Sequence, residues 1–193
     1  MCCRYGISAQ MTQELRRMAF LREKGRIDDF SGDIHPSEAA PVIRADGSDL
    51  VLEPMQWGLP LKGRGSLLIN ARAETVLTKK TFSEGVMRRR CLLPAALFYE
   101  WDRKKDKVTF TLPGENVFFM AGFYNFIGTQ PRFIIITTQA NSSMAPVHDR
   151  MPLILGRRDI AAWLQDDERT GQLLAKTPPE LALSRQYEQM TLF

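Results

Sequence analysis

The run of apolar and polar positions along this chain predicts more strands than helices. Val42-Ile43-Arg44 and Leu50-Val51-Leu52 flank Ala45-Asp46-Gly47-Ser48, which predicts a hairpin turning at Asp46-Gly47. Phe98-Tyr99-Glu100-Trp101 and Val108-Thr109-Phe110-Thr111-Leu112 predict a second hairpin, with its turn in Arg103-Lys104-Lys105-Asp106-Lys107. Val117 to Tyr124 and Phe133 to Thr138 are rich in β-branched and aromatic residues, and Gly128-Thr129-Gln130-Pro131 separates them as a turn. A last strand is expected over Met151-Pro152-Leu153-Ile154-Leu155. Helical spacing is rarer. Thr12 to Lys24 predicts a helix capped by Thr12 and stopped by Gly25, with Leu15, Met18 and Ala19 on one face. Phe82 to Arg88 is a short amphipathic segment, and Asp159 to Gln165 and Thr170 to Lys176 predict two more helices. Strand runs joined by tight turns, with helices between and at the ends, predict an α+β domain whose sheet is largely antiparallel.

Composition narrows this picture without changing it. At 193 residues the chain fits a single domain over 1–193 with a real core. No apolar run reaches membrane-spanning length and no hydrophobic signal segment opens the sequence, so no membrane partner is expected. Three cysteines, two of them adjacent, make no disulfide framework, which favours a reducing, cytoplasmic setting. Lys and Arg exceed Asp and Glu for a formal charge of +4, which permits a polyanionic partner without requiring one. The only histidines are His35 and His148, and no Cys-x-x-Cys or His-x-x-x-His spacing occurs. No metal and no other cofactor is therefore expected.

Candidate chemistry begins at the amino end. If Met1 is removed, Cys2 carries a free α-amine and a thiol on adjacent carbons. Such an amine has a pKa of about 7.7–8.0, so part of it is neutral and nucleophilic at pH 7. The thiol sits where it can close a five-membered ring on an imine that the amine forms with an aldehyde, giving a thiazolidine. Glu100 lies among Phe98, Tyr99 and Trp101, and a carboxyl partly desolvated by aromatics suits proton transfer. Asn70, after an apolar run, is a polar group in need of partners. His148-Asp149-Arg150 places an acid/base, an anion and a phosphate-matching cation side by side. Leu61-Lys62-Gly63-Arg64-Gly65-Ser66 is a basic, glycine-rich loop. Each of these also has an ordinary structural reading: a frayed terminus, a solvated strand glutamate, a backbone-satisfying amide, a structural histidine, a surface turn.

Their order along the chain adds what no single one supplies. Cys2 with Arg4, Trp57-Gly58-Leu59, Ile69 to Thr75, Phe98 to Trp101, and Val147 to Leu155 follow one another at the spacing of a known family. From Cys2 to about Leu155 the chain resembles the SOS-response-associated peptidase (SRAP) family, which includes abasic-site DNA–protein crosslinking proteins. The resemblance implies a barrel-like, largely antiparallel sheet core flanked by short helices. It also implies covalent capture of abasic sites in single-stranded DNA by Cys2, through a Schiff base and then a thiazolidine. On that pattern Glu100 and His148 shuttle protons and Asn70 holds Cys2 and the deoxyribose in register. Arg4, Arg72 and Arg150 grip phosphates, while Trp57, Lys62 and Arg64 contribute to the DNA surface. A monomer acting at the nucleoid is implied. The chain departs from the family in having Cys3 where Gly is usual, and Lys62-Gly63-Arg64-Gly65 where another tryptophan often stands. Two other functions use the same residues: a thiol peptidase with Cys2 as nucleophile, its minimal act being removal of Met1, and a non-covalent single-strand-binding module.

Overall fold

A computed structural model of the chain describes residues 3–185 apart from positions 19, 26, 28, 29, 62 and 64. Strand β1 (Tyr5–Ile7) runs into helix α1 (Ala9–Arg17), where the Ser8 hydroxyl oxygen accepts the Met11 amide at 3.1 Å and caps the first turn. Met11, Leu15 and Met18 recur at helical spacing and are buried. This corrects the expected helix over Thr12 to Lys24. Ser8, not Thr12, is the cap, and the helix ends at Arg17. Its expected last turn is instead β2 (Leu21–Glu23), which hydrogen-bonds in parallel to Leu50–Leu52. An available sheet edge outweighs the few tenths of a kcal/mol per residue that helix propensity offers, as expected for weak local preferences.

Next come β3 (Gly32–Ile34), β4 (Ala39–Asp46) and β5 (Asp49–Trp57). The expected hairpin is present: Asp46 pairs with Asp49, and Gly47 takes φ 66°, a left-handed conformation that glycine adopts without a Cβ clash. A small ribbon, β6 (Leu59–Pro60) with β7 (Leu67–Leu68), leads to β8 (Asn70–Arg72) and α2 (Lys80–Arg88). The second half contains β9 (Arg90–Ala95), β10 (Leu97–Trp101), β11 (Lys107–Thr111), β12 (Phe118–Ile127) and β13 (Gln130–Gln139). The expected strand at 151–155 is split into β14 (Arg150–Pro152) on β13 and β15 (Ile154–Leu155) on β12. Helices α3 (Ile160–Gln165) and α4 (Thr170–Leu174) and strand β16 (Ala182–Arg185) complete the described chain.

The α+β expectation holds, as does the barrel-like core. Strands β5, β4, β9, β12 and β13 are hydrogen-bonded in that order, and β13 returns to β5 through Arg132–Gln56 and Phe133–Trp57, closing a five-stranded barrel. Closure brings backbones close. At Gly122 of β12 a Cβ would lie 2.7 Å from the Ile134 carbonyl oxygen and 2.6 Å from Leu93, so no larger side chain fits without displacement. Phe118, Phe119, Phe123, Phe133 and Trp57 are buried within one apolar cluster, each contributing roughly 1.5–3 kcal/mol by leaving water. Arg90 ties α3 to the barrel: its guanidinium donates to the Trp163 carbonyl and to Asp167, while the Trp163 indole donates to the Cys91 carbonyl at 2.8 Å. A second sheet, β16-β11-β10-β1-β3, packs beside the barrel and carries the amino-terminal strand. No helix among the described residues is long and apolar enough to cross a membrane.

Candidate active site

The second sheet fixes what surrounds the amino end. β1 pairs antiparallel with β10, Tyr5 opposite Phe98 and Gly6 opposite Leu97, and the Tyr99 amide donates to the Arg4 carbonyl at 3.0 Å. Carried two residues further, this register sets Cys3 opposite Glu100. Strand alternation then divides the residues between two faces. Phe98 and Glu100 point inward, with 0% and 3% exposure, so a carboxyl is buried against the aromatic core beside the start of the chain. The electrostatics agree with that pairing. Burial pushes the Cys3 thiol pKa up and the Glu100 charge pushes it further, against a smaller opposing pull from Arg4.

The outer face of the same strands holds a cation–aromatic cluster. The Arg4 guanidinium lies 5.9 Å from the centre of the Tyr99 ring and 5.7 Å from that of Trp101, and 3.5 Å from Asp33. The Tyr99 hydroxyl donates to Asp33 at 2.8 Å. Burial, and then that bond to a carboxylate, push the phenol up to about 12. The Lys107 ammonium sits 3.8 Å from the Tyr99 ring centre. Sequence reasoning singled out Arg4 but missed Asp33, Tyr99, Trp101 and Lys107 as its setting. The available signal was the period-2 pattern of 98–101, which puts Tyr99 and Trp101 on one side.

The other candidates gather on the barrel. Asn70 of β8 lies opposite Ile135, buried to 8% exposure, and Arg72 lies opposite Thr137 with its side chain exposed. Arg150 donates through both terminal nitrogens to the Glu74 carboxylate at 2.6 and 2.9 Å, and to the Thr137 carbonyl at 2.6 Å. The guanidinium holds the Glu74 carboxyl below the usual range. His148 Nδ1 accepts the Arg150 amide at 2.9 Å, which leaves the neutral ring its proton on Nε2. Asp149 also lies 2.9 Å from Nδ1, but its side chain is 86% exposed and competes with water. A cavity of about 480 Å³ lies between Arg72, Gln139 and Arg150.

Two expectations are corrected here. Trp57 has no exposed surface to offer a base. Its ring stacks on Phe133 at 6.0 Å and tilts against Tyr5 at 5.4 Å, and its indole N–H donates to the Ile69 carbonyl at 3.0 Å. It is the strut that joins β1 to the residue preceding Asn70. Arg150 likewise is not an open phosphate clamp: 8% exposed and held bidentately by Glu74, it ties β14 to the chain after β8. The structure thus sets Cys3, Arg4 and Glu100 in one sheet and Asn70, Arg72, His148 and Arg150 on another, with Trp57 between. Cys2, Lys62 and Arg64 lie outside the described residues. Among the described residues no group of three or more His, Cys, Asp or Glu is placed to hold a metal ion.

Comparison with known proteins identifies the family and the fold. A family profile described as SOS response associated peptidase (SRAP) matches residues 1–189. The abasic site processing protein YoqW of Bacillus subtilis (strain 168) is 38% identical over 164 residues, covering 74% of this chain and 73% of that protein. The abasic site processing protein YedK of Escherichia coli (strain K12) is 26% identical over 148 residues, covering 70% and 64%. A solved structure from Bacteroides thetaiotaomicron, 23% identical, superposes with a TM-score of 0.79 over 95% of this chain and 91% of that one, which shows the shared fold.

Proposed function

The chain belongs to the SOS response associated peptidase (SRAP) family, and from that membership we propose that it processes abasic sites in DNA by capturing them covalently on Cys2. The observation that carries this reading is the β1–β10 register, which brings a buried carboxyl, Glu100, opposite the residue next to Cys2. Removal of Met1 frees the Cys2 α-amine. The amine adds to the aldehyde carbon of the ring-opened deoxyribose, and the resulting carbinolamine loses its hydroxyl as water to give an imine. The Glu100 carboxylate takes a proton from the nitrogen as the amine adds and returns it to the departing hydroxyl, which leaves as water. The Cys2 thiol then adds to the imine carbon and its proton passes to the nitrogen, closing the thiazolidine. One C–N and one C–S bond form, and the aldehyde oxygen departs as water. His148, with its proton on Nε2, serves the sugar hydroxyl released on ring opening. Asn70 positions the sugar, a role that demands accuracy because small displacements of reacting atoms cost rate steeply.

Several features fit this reading. The Cys3 thiol, held protonated by burial and by Glu100, does not compete with Cys2 as a nucleophile at neutral pH. Arg4, partly exposed beside Asp33, and Arg72, with its side chain exposed, are the cations assigned to phosphates, whereas Arg150 is buried against Glu74. All the groups come from one chain, so a monomer suffices, and its partner is single-stranded DNA at the nucleoid. The test is a denaturing gel of Met1-processed protein incubated with single-stranded DNA carrying one abasic site. A covalent band is expected without reductant, absent for Cys2→Ala and for DNA whose aldehyde has been reduced. Retention only on a native gel would assign a binding module. Peptide cleavage with no band would assign a peptidase.

A further inference from the structure

The turn between β10 and β11 carries Arg103, Lys104 and Lys105, with Lys107 opening β11, and the proposed capture chemistry uses none of them. Its first acid, Asp102, is turned inward. That side chain is 10% exposed, accepts the Lys104 and Asp106 amides at 2.9 and 3.1 Å, and lies 3.8 Å from Arg185. Arg103, Lys104 and Lys105 are left facing water, with Asp106 the single exposed acid among them. Lys105 takes φ 68°, a left-handed backbone that glycine or asparagine adopts more readily. A cation thus stands at the position where the turn would most readily accept glycine. The turn also continues a structured surface. Lys107 lies over the Tyr99 ring, and Arg4 lies over Tyr99 and Trp101, so cations and rings alternate along one face of the sheet.

We propose that this hairpin is a second DNA contact, gripping phosphates of the strand that flanks the abasic site. The proposal rests on the capture reading above and extends its footprint. Phosphates and bases alternate along a single strand as cations and rings alternate here, which favours nucleic acid over an acidic protein as the partner. The span fits: Lys104 lies four positions after Glu100, at most about 14 Å of chain. Contacts of this kind supply affinity that falls with salt and carries no sequence information.

The test compares the parent with a triple variant, Arg103→Gln, Lys104→Gln and Lys105→Gly, the last relieving the left-handed backbone as it removes charge. Affinity for an oligonucleotide of about 30 residues whose abasic aldehyde has been reduced, so that no crosslink forms, is measured against salt, beside crosslinking of an unreduced abasic dinucleotide, the short strand, which does not reach the hairpin. The variant is expected to bind the long strand more weakly and to lose about 2 from its log–log salt slope, three phosphate contacts on a single strand. Arg88→Gln, which removes an exposed charge from α2, is expected to keep the parent slope. Equal slopes for parent and triple variant on the long strand would overturn the proposal. So would a loss that Arg88→Gln reproduces, which would mean net charge alone. Crosslinking of the short strand by the parent reports the capture chemistry separately: a band there with equal slopes sinks only the hairpin contact, and no band sinks the reading beneath it.

Discussion

Two thiols, Cys2 and Cys3, are adjacent near the start of this chain, and physical chemistry gives them different fates. Cys3 is partly buried opposite Glu100, and both burial and that carboxylate favour its neutral thiol. Cys3→Gly should therefore leave the crosslinking rate unchanged, followed as band intensity over time. Glu100→Gln, nearly the same shape without the charge, should slow crosslinking by about 10²–10⁴-fold if the carboxyl moves protons. The same substitution has a readout that needs no DNA. Removing the charge lowers the Cys3 pKa, so alkylation of Cys3 near neutrality should speed up. An unaltered alkylation rate would mean that the two side chains do not sense each other, and the pairing drawn from the strand register would fail. Sequence marked Glu100 through its aromatic neighbours. What it could not supply was direction: Trp57 and Arg150 were equally conspicuous, yet packing turns one into the core and a carboxylate holds the other.

At the scale of elements, the legible parts were those where pattern and turn chemistry agree. The hairpin at Gly47 is one, since apolar alternation on both sides meets a residue suited to φ 66°. Short strands escaped notice for the opposite reason. β16 is exposed at every position, so no apolar period marks it, and β3 has one buried residue. The split of 150–155 between two neighbours follows from barrel curvature, which a linear run of apolar residues does not encode. Trp57 shows how an element transmits position to the site. Its indole N–H and the Ile135 amide share the Ile69 carbonyl, immediately before Asn70. Trp57→Phe keeps a ring against Tyr5 and Phe133 but drops one of those two bonds. A cost of about 0.5–1.5 kcal/mol is expected for the lost bond, read from a lowered denaturation midpoint, together with slower crosslinking through a loosened Asn70. A stability loss with no change in rate would mean that Trp57 does not transmit position to Asn70.

For the molecule as a whole, acid is the revealing variable. Glu74 is held below its ordinary pKa chiefly by Arg150, so its contribution is present above about pH 4.5 and is lost as pH falls through the lower, folded value. The difference in Tm between the parent and Glu74→Gln should be constant near neutrality and shrink on acidification. A difference that persists at low pH would mean that the pair does not contribute through its charge. Because the Glu74 side chain is 43% exposed, solvent screens the interaction and the effect is modest.

The pairing of β1 with β10 has a consequence for the order in which the chain is made. Tyr5 meets Ile34 early but Phe98 only more than ninety residues later, so one side of β1 stays open until β10 is made. If Met1 is removed, as the proposed capture requires, the trimming precedes the completion of β10. The carboxyl that would tune the new amine arrives only when half the protein has been translated. Maturation of the end and assembly of its surroundings are thereby separated in time, and a chain cut short before β10 would carry an unshielded cysteine with nothing to direct it.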